Sequence, residues 1–273
     1  MNAFYLTDIY VYPIKSLGGI RLEKAFLEEK GLQYDRRWML IDHEGTFVTQ
    51  RKHHQLSLLQ VQIHGDRLLV NHKGDTQLQI SFNLNEDTGE SIAVTVWDDT
   101  ALGLEVSKKV SSWFSDYLDF EVRLVRMSDE EKILVDPQYA ANGETKSFSD
   151  GYPCLIIGQS SLNGLNEKLD VPVSMNRFRP NLVFSGGVAH VEDSFKNFNI
   201  GEILFTAVKP CARCVLITVD QETGIKGQEP LRTLATYRTL NKKIMFGQNL
   251  LHQGTGILSV GDEINIQDWK TIN

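Results

Sequence analysis

The stretch YLTDIYVYPI, residues 5–14, is rich in β-branched and aromatic residues and predicts a β-strand. If the strand is regular, Leu6 and Tyr10 share one face and Ile9 and Val11 share the other. Similar runs follow, separated by Gly, Asn and Asp turns. These runs are residues 38–41, 56–63, 67–71, 77–82, 91–97 and 121–127. The pattern predicts a mainly β protein with few helices.

Three segments are typical of helices. Apolar residues in 106–118 recur every three or four positions, and Ser107 can cap the first turn. Leucines within residues 160–169 indicate a second helix, and Pro230 can occupy the first position of a third. Residues 128–150, by contrast, are polar and rich in turn formers, so we expect a linker or a mobile loop.

Composition and charge exclude several classes of function. The chain has 273 residues, of which 41% are hydrophobic and 23% charged, an ordinary composition for one large or two small domains. Its net charge of −7 argues against non-specific binding to nucleic acid or anionic membranes. Its three cysteines suit a reducing compartment. With no signal-peptide pattern and no long apolar stretch, we expect a soluble, cytoplasmic protein that binds neither nucleic acid nor membrane.

Common nucleotide and hydrolase motifs are missing from the sequence. There is no P-loop, no G-x-G-x-x-G, no H-E-x-x-H and no G-x-S-x-G. The cysteines also lack the number and spacing that an iron–sulfur cluster requires.

The segment KPCARC, residues 209–214, is the most unusual part of the sequence. A structural zinc site would need two more ligands, and a redox pair would stand at a helix N-terminus. Residues 215–220, VLITVD, instead predict a strand, which favours a single reactive or metal-binding thiolate beside Arg213. A buried, inert cysteine is the open alternative. On an extended chain Cys211 and Cys214 point to opposite faces, so they need not share a site.

Cations stand beside turns in three places: KSLGG at residues 15–19, DRRW at 35–38 and RFRPN at 177–181. Each cation alone is typical of a solvated surface. Together they would suit a phosphate or another anion, because arginine presents a fork of donors and turns present free backbone N–H groups.

These segments also carry a family resemblance. In order, the matching motifs are YPIKS at residues 12–16, DRRW at 35–38, NRFRPN at 176–181, PCARC at 210–214, TVD-x-x-TG at 218–224, EPL-x-TL-x-x-YR at 229–238 and FGQN at 246–249. They resemble the MOSC-domain proteins that carry a MOSC N-terminal β domain, among them the mitochondrial amidoxime reducing component and its bacterial homologues. The resemblance runs nearly end to end.

The resemblance implies a molybdenum cofactor, in which a pterin dithiolene with a terminal phosphate holds the metal and one protein thiolate completes the site. It assigns the metal-ligand and catalytic role to Cys214. The implied cofactor-binding residues are Lys15, Ser16, Arg36, Gly151, Tyr152, Arg179, Asn181, Ala212 and Arg213. For Gly151, Tyr152 and Ala212 we expect contacts through the backbone. Cys211 has no implied ligand role, and we assign it to packing.

The resemblance further implies a MOSC β-barrel formed by residues 1–37 and 125–273. A smaller α/β subdomain would occupy residues 38–124, with the first predicted helix on its sheet. The cofactor would lie in the cleft where motifs from distant parts of the sequence meet.

The implied activity is that of an oxidoreductase that reduces N-hydroxylated substrates: hydroxylamines, amidoximes and N-hydroxylated bases. Because the sequence has no nicotinamide fingerprint and no cluster motif, electrons would come from a separate protein, a b-type cytochrome or a ferredoxin with its reductase. The alternative is a carrier of the molybdenum cofactor, or of sulfur on Cys214. A β-rich binding module without metal is the third hypothesis.

Overall fold

The computed structural model describes residues 3–140 and 142–270. The strands before residue 130 are β1 Phe4–Val11, β2 Ile20–Leu22, β3 Lys24–Glu28, β4 Gly31–Leu32, β5 Trp38–Ile41, β6 Leu59–His64, β7 Arg67–His72, β8 Asp75–Asn83, β9 Ser91–Val96, β10 Asp99–Glu105 and β11 Arg123–Met127. The later strands are β12 Ile133–Leu134, β13 Thr145–Lys146, β14 Cys154–Gly158, β15 Leu182–Ser185, β16 Phe195–Ile200, β17 Ile203–Arg213, β18 Thr239–Leu240, β19 Lys243–Gln253, β20 Gly256–Ser259 and β21 Glu263–Trp269. The prediction of a mainly β protein is confirmed.

Helices are few and short. The α-helices are α1 Lys108–Leu118, α2 Gln159–Asn166 and α3 Leu231–Ala235, and 3₁₀ turns span His54–Leu58, Met175–Phe178, Val191–Ser194 and Val215–Thr218. All three predicted helices are present, although Pro230 precedes the first residue of α3 instead of occupying it. Within residues 3–140 and 142–270, none of the helices has the length and apolar character needed to cross a membrane.

Seven strands close into a barrel. Their order is β14, β15, β1, β21, β16, β17 and β19, and β19 pairs back with β14. Neighbours are antiparallel except β14 and β15, which are parallel. The first strand of the chain therefore lies between strands from its last third. The domain boundaries given above stay a prediction.

A β-bulge changes the face on which one core residue of β1 lies. Leu6, Ile9 and Val11 are all buried in the barrel core, so the prediction that Leu6 faces away from Ile9 is wrong. The pairing of β1 with β15 shifts register between Leu6 and Asp8. The extra residue reverses the alternation, as a bulge does.

Residues 38–127 form a second layer. It contains a four-stranded sheet, β5–β11–β10–β9, and a three-stranded sheet, β6–β7–β8. Helix α1 buries Val110, Phe114 and Leu118 against the core of this layer, and the Ser107 hydroxyl accepts a hydrogen bond from the Val110 N–H (3.4 Å). The predicted apolar stripe and N-cap are confirmed.

The described residues of segment 128–150, all but residue 141, include paired strands and buried side chains, so the prediction of a linker is wrong. Strands β12 and β13 pair within it. Ile133 and Val135 are buried, and Phe148 is fully buried next to the cavity described below. Ile133 and Phe148 pack with the core of the four-stranded sheet, and Val135 packs with Leu251 of the barrel, so a few apolar anchors hold this polar segment in place.

Replacing Phe198 should show how far stability depends on the barrel core. Phe198 is fully buried on β16, whereas Lys196 on the same strand is exposed. We expect Phe198→Ala to lower the free energy of unfolding by about 3–5 kcal/mol, from lost burial and the cavity left behind. Lys196→Ala should stay within about 0.5 kcal/mol of the wild type. Urea titrations followed by circular dichroism measure both, and equal values would contradict the assignment of this core.

Candidate functional site

A cavity of about 320 Å³ lies where loops from the beginning, middle and end of the chain meet. All the site residues predicted from the sequence line it: Lys15, Ser16, Arg36, Gly151, Tyr152, Arg179, Asn181, Ala212, Arg213 and Cys214. The structure therefore brings together residues from segments up to 199 positions apart, from 15 to 214. Their roles toward a ligand stay a prediction.

Two arginines in the wall of this cavity lie against the ring of Tyr12. The guanidinium carbons of Arg36 and Arg179 are 4.3 and 4.2 Å from the centre of the Tyr12 ring. The backbone N–H of Tyr12 donates to Asp35 Oδ1 (2.8 Å), and its hydroxyl donates to the Pro180 carbonyl (3.1 Å). These bonds fix the buried ring, and cation–π contact stabilises the guanidinium groups over it. We call these three side chains the Tyr12 clamp.

The clamp carries positive charge that its own partners only partly balance. Arg36 pairs with Asp35 and donates to Asn181 Oδ1 (3.2 Å). Arg179 donates to the Leu17 carbonyl (2.7 Å). Burial, and then the like charge of Arg36, lowers the pKa of Arg179 to about 10. A bound anion would offset this buried charge through charge-assisted hydrogen bonds.

Three residues of the site have left-handed backbone conformations. The φ angles of Ser16, Arg36 and Arg179 are 73°, 52° and 53°. Each such conformation costs a non-glycine residue about 1–3 kcal/mol, and conformations of this kind cluster at binding and catalytic sites.

Lys15 is buried in the cavity wall and pairs with Asp150, whose side chain is 57% exposed. Lys15 Nζ donates to the Phe148 carbonyl (2.7 Å) and to Asp150. Burial, opposed by the charge of Asp150, lowers the pKa of Lys15 to about 8. Asp150 also accepts from Arg51 (3.0 Å) and the Trp97 indole (3.1 Å). Although burial alone would raise the pKa of Asp150, Lys15 and Arg51 hold it well below its ordinary range.

Cys214 follows β17 directly and is exposed. The strand predicted after it is wrong, because Val215–Thr218 forms a 3₁₀ turn. In that turn the Thr218 hydroxyl donates to the Val215 carbonyl (2.8 Å), and Ile217 is buried. Packing thus overrides the β propensity of this run. The chain turns immediately after the sulfur.

Cys211 lines the same cavity as Cys214. The prediction that the two would face apart is wrong, because the pairing of β17 with β19 shifts register between Pro210 and Ala212. An assignment to packing therefore does not account for the place of Cys211 in the cavity wall. Burial raises the pKa of its thiol, which keeps it protonated at neutral pH.

Arg213 offers a donor that the protein does not use. Its Nε donates to the Phe246 carbonyl (2.8 Å), and Nη1 donates to the Phe178 carbonyl (2.9 Å). Within the described part of the chain, its Nη2 is buried without a hydrogen-bond partner. An unpaired buried N–H on a cavity-lining side chain fits a bound acceptor.

The charges of the cavity wall fit an anionic group with a metal at one end. Of the described residues that line it, only Asp150 is acidic, and seven are basic: Lys15, Arg36, Arg51, Arg179, Lys209, Arg213 and Lys243. In the same residues, no cluster of three His, Cys, Asp or Glu could hold a metal ion. A metal at Cys214 would thus take its other ligands from the bound group, as the metal of a pterin dithiolene does.

Sequence reasoning missed several residues of the cavity wall: Arg51, Asp150, Lys209, Cys211 and Lys243. Asp150 immediately precedes the predicted site residue Gly151, so its position in the sequence could have indicated that it lies in the site. Arg51 lies outside every motif that carried the resemblance.

Comparisons with known proteins show the family of this chain. A model of the MOSC N-terminal beta barrel domain matches residues 3–121, and a MOSC domain model matches residues 143–265. Mitochondrial amidoxime-reducing component 1 of Danio rerio is 31% identical over 95% of this chain and 83% of its own length. The Homo sapiens protein of that name is 30% identical over 95% and 82%. A molybdenum cofactor sulfurase of Oryza sativa subsp. japonica is 32% identical over 90% of this chain but only 32% of its own length.

Anion binding by the cofactor-free protein should depend on pH through Lys15. Since its pKa is lowered to about 8, the ammonium group loses its proton above that pH, and an anion loses one partner. Sulfate affinity should therefore fall by up to about fivefold between pH 8 and pH 9. Lys15→Arg, which stays protonated, should bind sulfate equally at both pH values. Isothermal titration calorimetry measures this, and parallel behaviour of the two proteins would contradict the role of Lys15.

Proposed function

Because the chain belongs to the family that joins a MOSC N-terminal beta barrel domain to a MOSC domain, we propose that it is a molybdenum-cofactor-dependent oxidoreductase. It reduces N-hydroxylated substrates such as hydroxylamines, amidoximes and N-hydroxylated bases. The observation that carries this proposal is the single cavity in which Cys214 meets seven basic side chains of an otherwise acidic protein.

In this proposal one end of the cavity binds the phosphate of the cofactor, and the other end binds the metal. The Tyr12 clamp and Lys15 bind the terminal phosphate of the cofactor, since guanidinium groups and a buried ammonium are strong partners for a dianion. Arg213 donates its unused Nη2 to the pterin. Cys214 supplies the thiolate, a soft ligand suited to a redox-active metal. Ser16, Gly151, Tyr152, Asn181 and Ala212 line the space between them.

When bound, the molybdenum cofactor supplies the two-electron chemistry that removes oxygen from the substrate nitrogen. Each turnover takes up two electrons and two protons and releases one water. The electrons come from a separate protein, a b-type cytochrome or a ferredoxin with its reductase. Lys209 and Lys243 in the cavity wall would attract an acidic donor toward the site.

A carrier of the molybdenum cofactor, or of sulfur on Cys214, is the second candidate function. The exposure of Cys214 and the similarity to a molybdenum cofactor sulfurase favour it. The two functions differ in turnover: the purified reductase reduces benzamidoxime with a chemical or cytochrome donor, and a carrier does not.

A cytoplasmic location also stays a prediction. All three cysteines are free, as in proteins of reducing compartments. The amidoxime-reducing relatives are mitochondrial by name.

The two cavity cysteines provide a matched pair for testing the metal ligand. Cys214→Ser should keep the fold and the pterin but lose turnover of benzamidoxime, because a hydroxyl is a poor substitute for thiolate on the metal. Cys211→Ser should retain most of the activity, since its thiol is protonated and has no ligand role in this proposal. Activity, molybdenum content and circular dichroism are measured together. Full activity of Cys214→Ser, or equal loss in both variants, would refute the assignment.

Arg179→Ala should lower the amount of bound pterin. The lost charge-assisted contact corresponds to roughly 1.5–3 kcal/mol, or about ten- to a hundredfold in affinity. Alanine and arginine both have a Cβ, so the substitution does not change the strain of the left-handed backbone. Arg177→Ala is the control, because Arg177 pairs with Asp220 and does not line the cavity. Pterin fluorescence after oxidation gives the content, and unchanged pterin in Arg179→Ala would refute phosphate binding by the clamp.

A further inference from the structure

Arg51 touches the sulfur that we assign to the metal. Its Nε donates a hydrogen bond to Cys214 Sγ over 3.1 Å, across 163 positions of sequence. Arg51 belongs to the segment matched by the MOSC N-terminal model, whereas Cys214 belongs to the segment matched by the MOSC model. The two halves of the chain therefore meet at this sulfur.

The guanidinium of Arg51 is held on every side. Nη1 donates to Thr49 Oγ1 (3.2 Å), Nη2 donates to Asp150 Oδ2 (3.0 Å), and the group lies 4.5 Å from the centre of the Trp97 ring. Asp150 is itself fixed by Lys15 and by the Trp97 indole. All three nitrogens of the guanidinium group donate hydrogen bonds, and one of its faces stacks on Trp97. The group is therefore held in one orientation.

That orientation aims Nε at the sulfur. Cys214 itself has little to hold it, because it is exposed and stands where the strand gives way to the 3₁₀ turn. A hydrogen bond to a ligating sulfur fixes its direction and withdraws charge from it, and such bonds set the affinity and potential of metal sites.

Resting on the proposed function, we propose that Arg51 is a positioning residue for the molybdenum ligand. Arg51 orients Cys214 Sγ toward the metal and, through its hydrogen bond, raises the reduction potential of the centre. Of the residues assigned to the cofactor, Arg51 donates directly to Cys214 and reaches Lys15 only through Asp150. Replacing Arg51 should therefore weaken the binding of the metal without weakening the binding of the pterin.

The test compares holoprotein of the wild type with Arg51→Lys and Arg51→Gln. Arg126→Lys is the matched control, because its side chain is 14% exposed against 17% for Arg51 and its partner, Asp87, is remote from the cavity. Molybdenum is measured by elemental analysis after a chelator challenge, pterin by fluorescence, and the midpoint potential by titration monitored by electron paramagnetic resonance.

Both Arg51 variants should keep wild-type pterin but retain molybdenum about ten- to a hundredfold less tightly. Any metal that stays should have a lower midpoint potential, since an unbonded thiolate donates more charge. If Arg51 only supported the fold, replacing it would not shift the midpoint potential while the pterin content stayed constant. Variants that match the wild type in both metal retention and potential overturn this inference alone. A wild-type protein that holds neither molybdenum nor pterin overturns the proposed function as well.

Discussion

Two guanidinium groups packed against one buried phenol ring set the constraint on which the rest of this molecule depends. Buried charge is expensive: Arg36 forms a salt bridge with Asp35, and among the described residues Arg179 forms none. The ring of Tyr12 and nearby carbonyl oxygens reduce the cost without removing it. A fold that keeps this arrangement is built for an anion, and the strained backbone at both arginines is consistent with a site kept for binding.

The position of this charge follows from the topology. Tyr12 and Lys15 come just after β1, while Arg179 comes just before β15, and these two strands pair within the barrel. Pairing therefore brings these basic groups to one place. The cysteine arrives on the end of β17, and the second layer contributes Arg51 beside it. Every part of the cavity wall depends on strands that are distant in sequence.

Much of this could be predicted from the sequence, and the failures have physical causes. Spacing alone could not show that Arg36 and Arg179 converge, but from the family resemblance their place in one cleft was predicted. The bulges in β1 and β17 were not, because a single extra residue leaves no mark on composition yet reverses which side chains share a face. Val215–Thr218 has strand propensity but packs as a turn. Arg51 has no motif of its own, and only tertiary contacts reveal it.

The pairing of β1 with β15 and β21 also bears on how the protein is made. Residues 4–11 leave the ribosome well before the strands that flank them, residues 182–185 and 263–269. Of the described strands, only the short β2 can pair with β1 in the meantime, which leaves apolar Leu6 and Ile9 without their core. A nascent chain with apolar residues exposed in this way is a target for chaperones. The cavity wall, which includes Asn249, is likewise completed only late in synthesis.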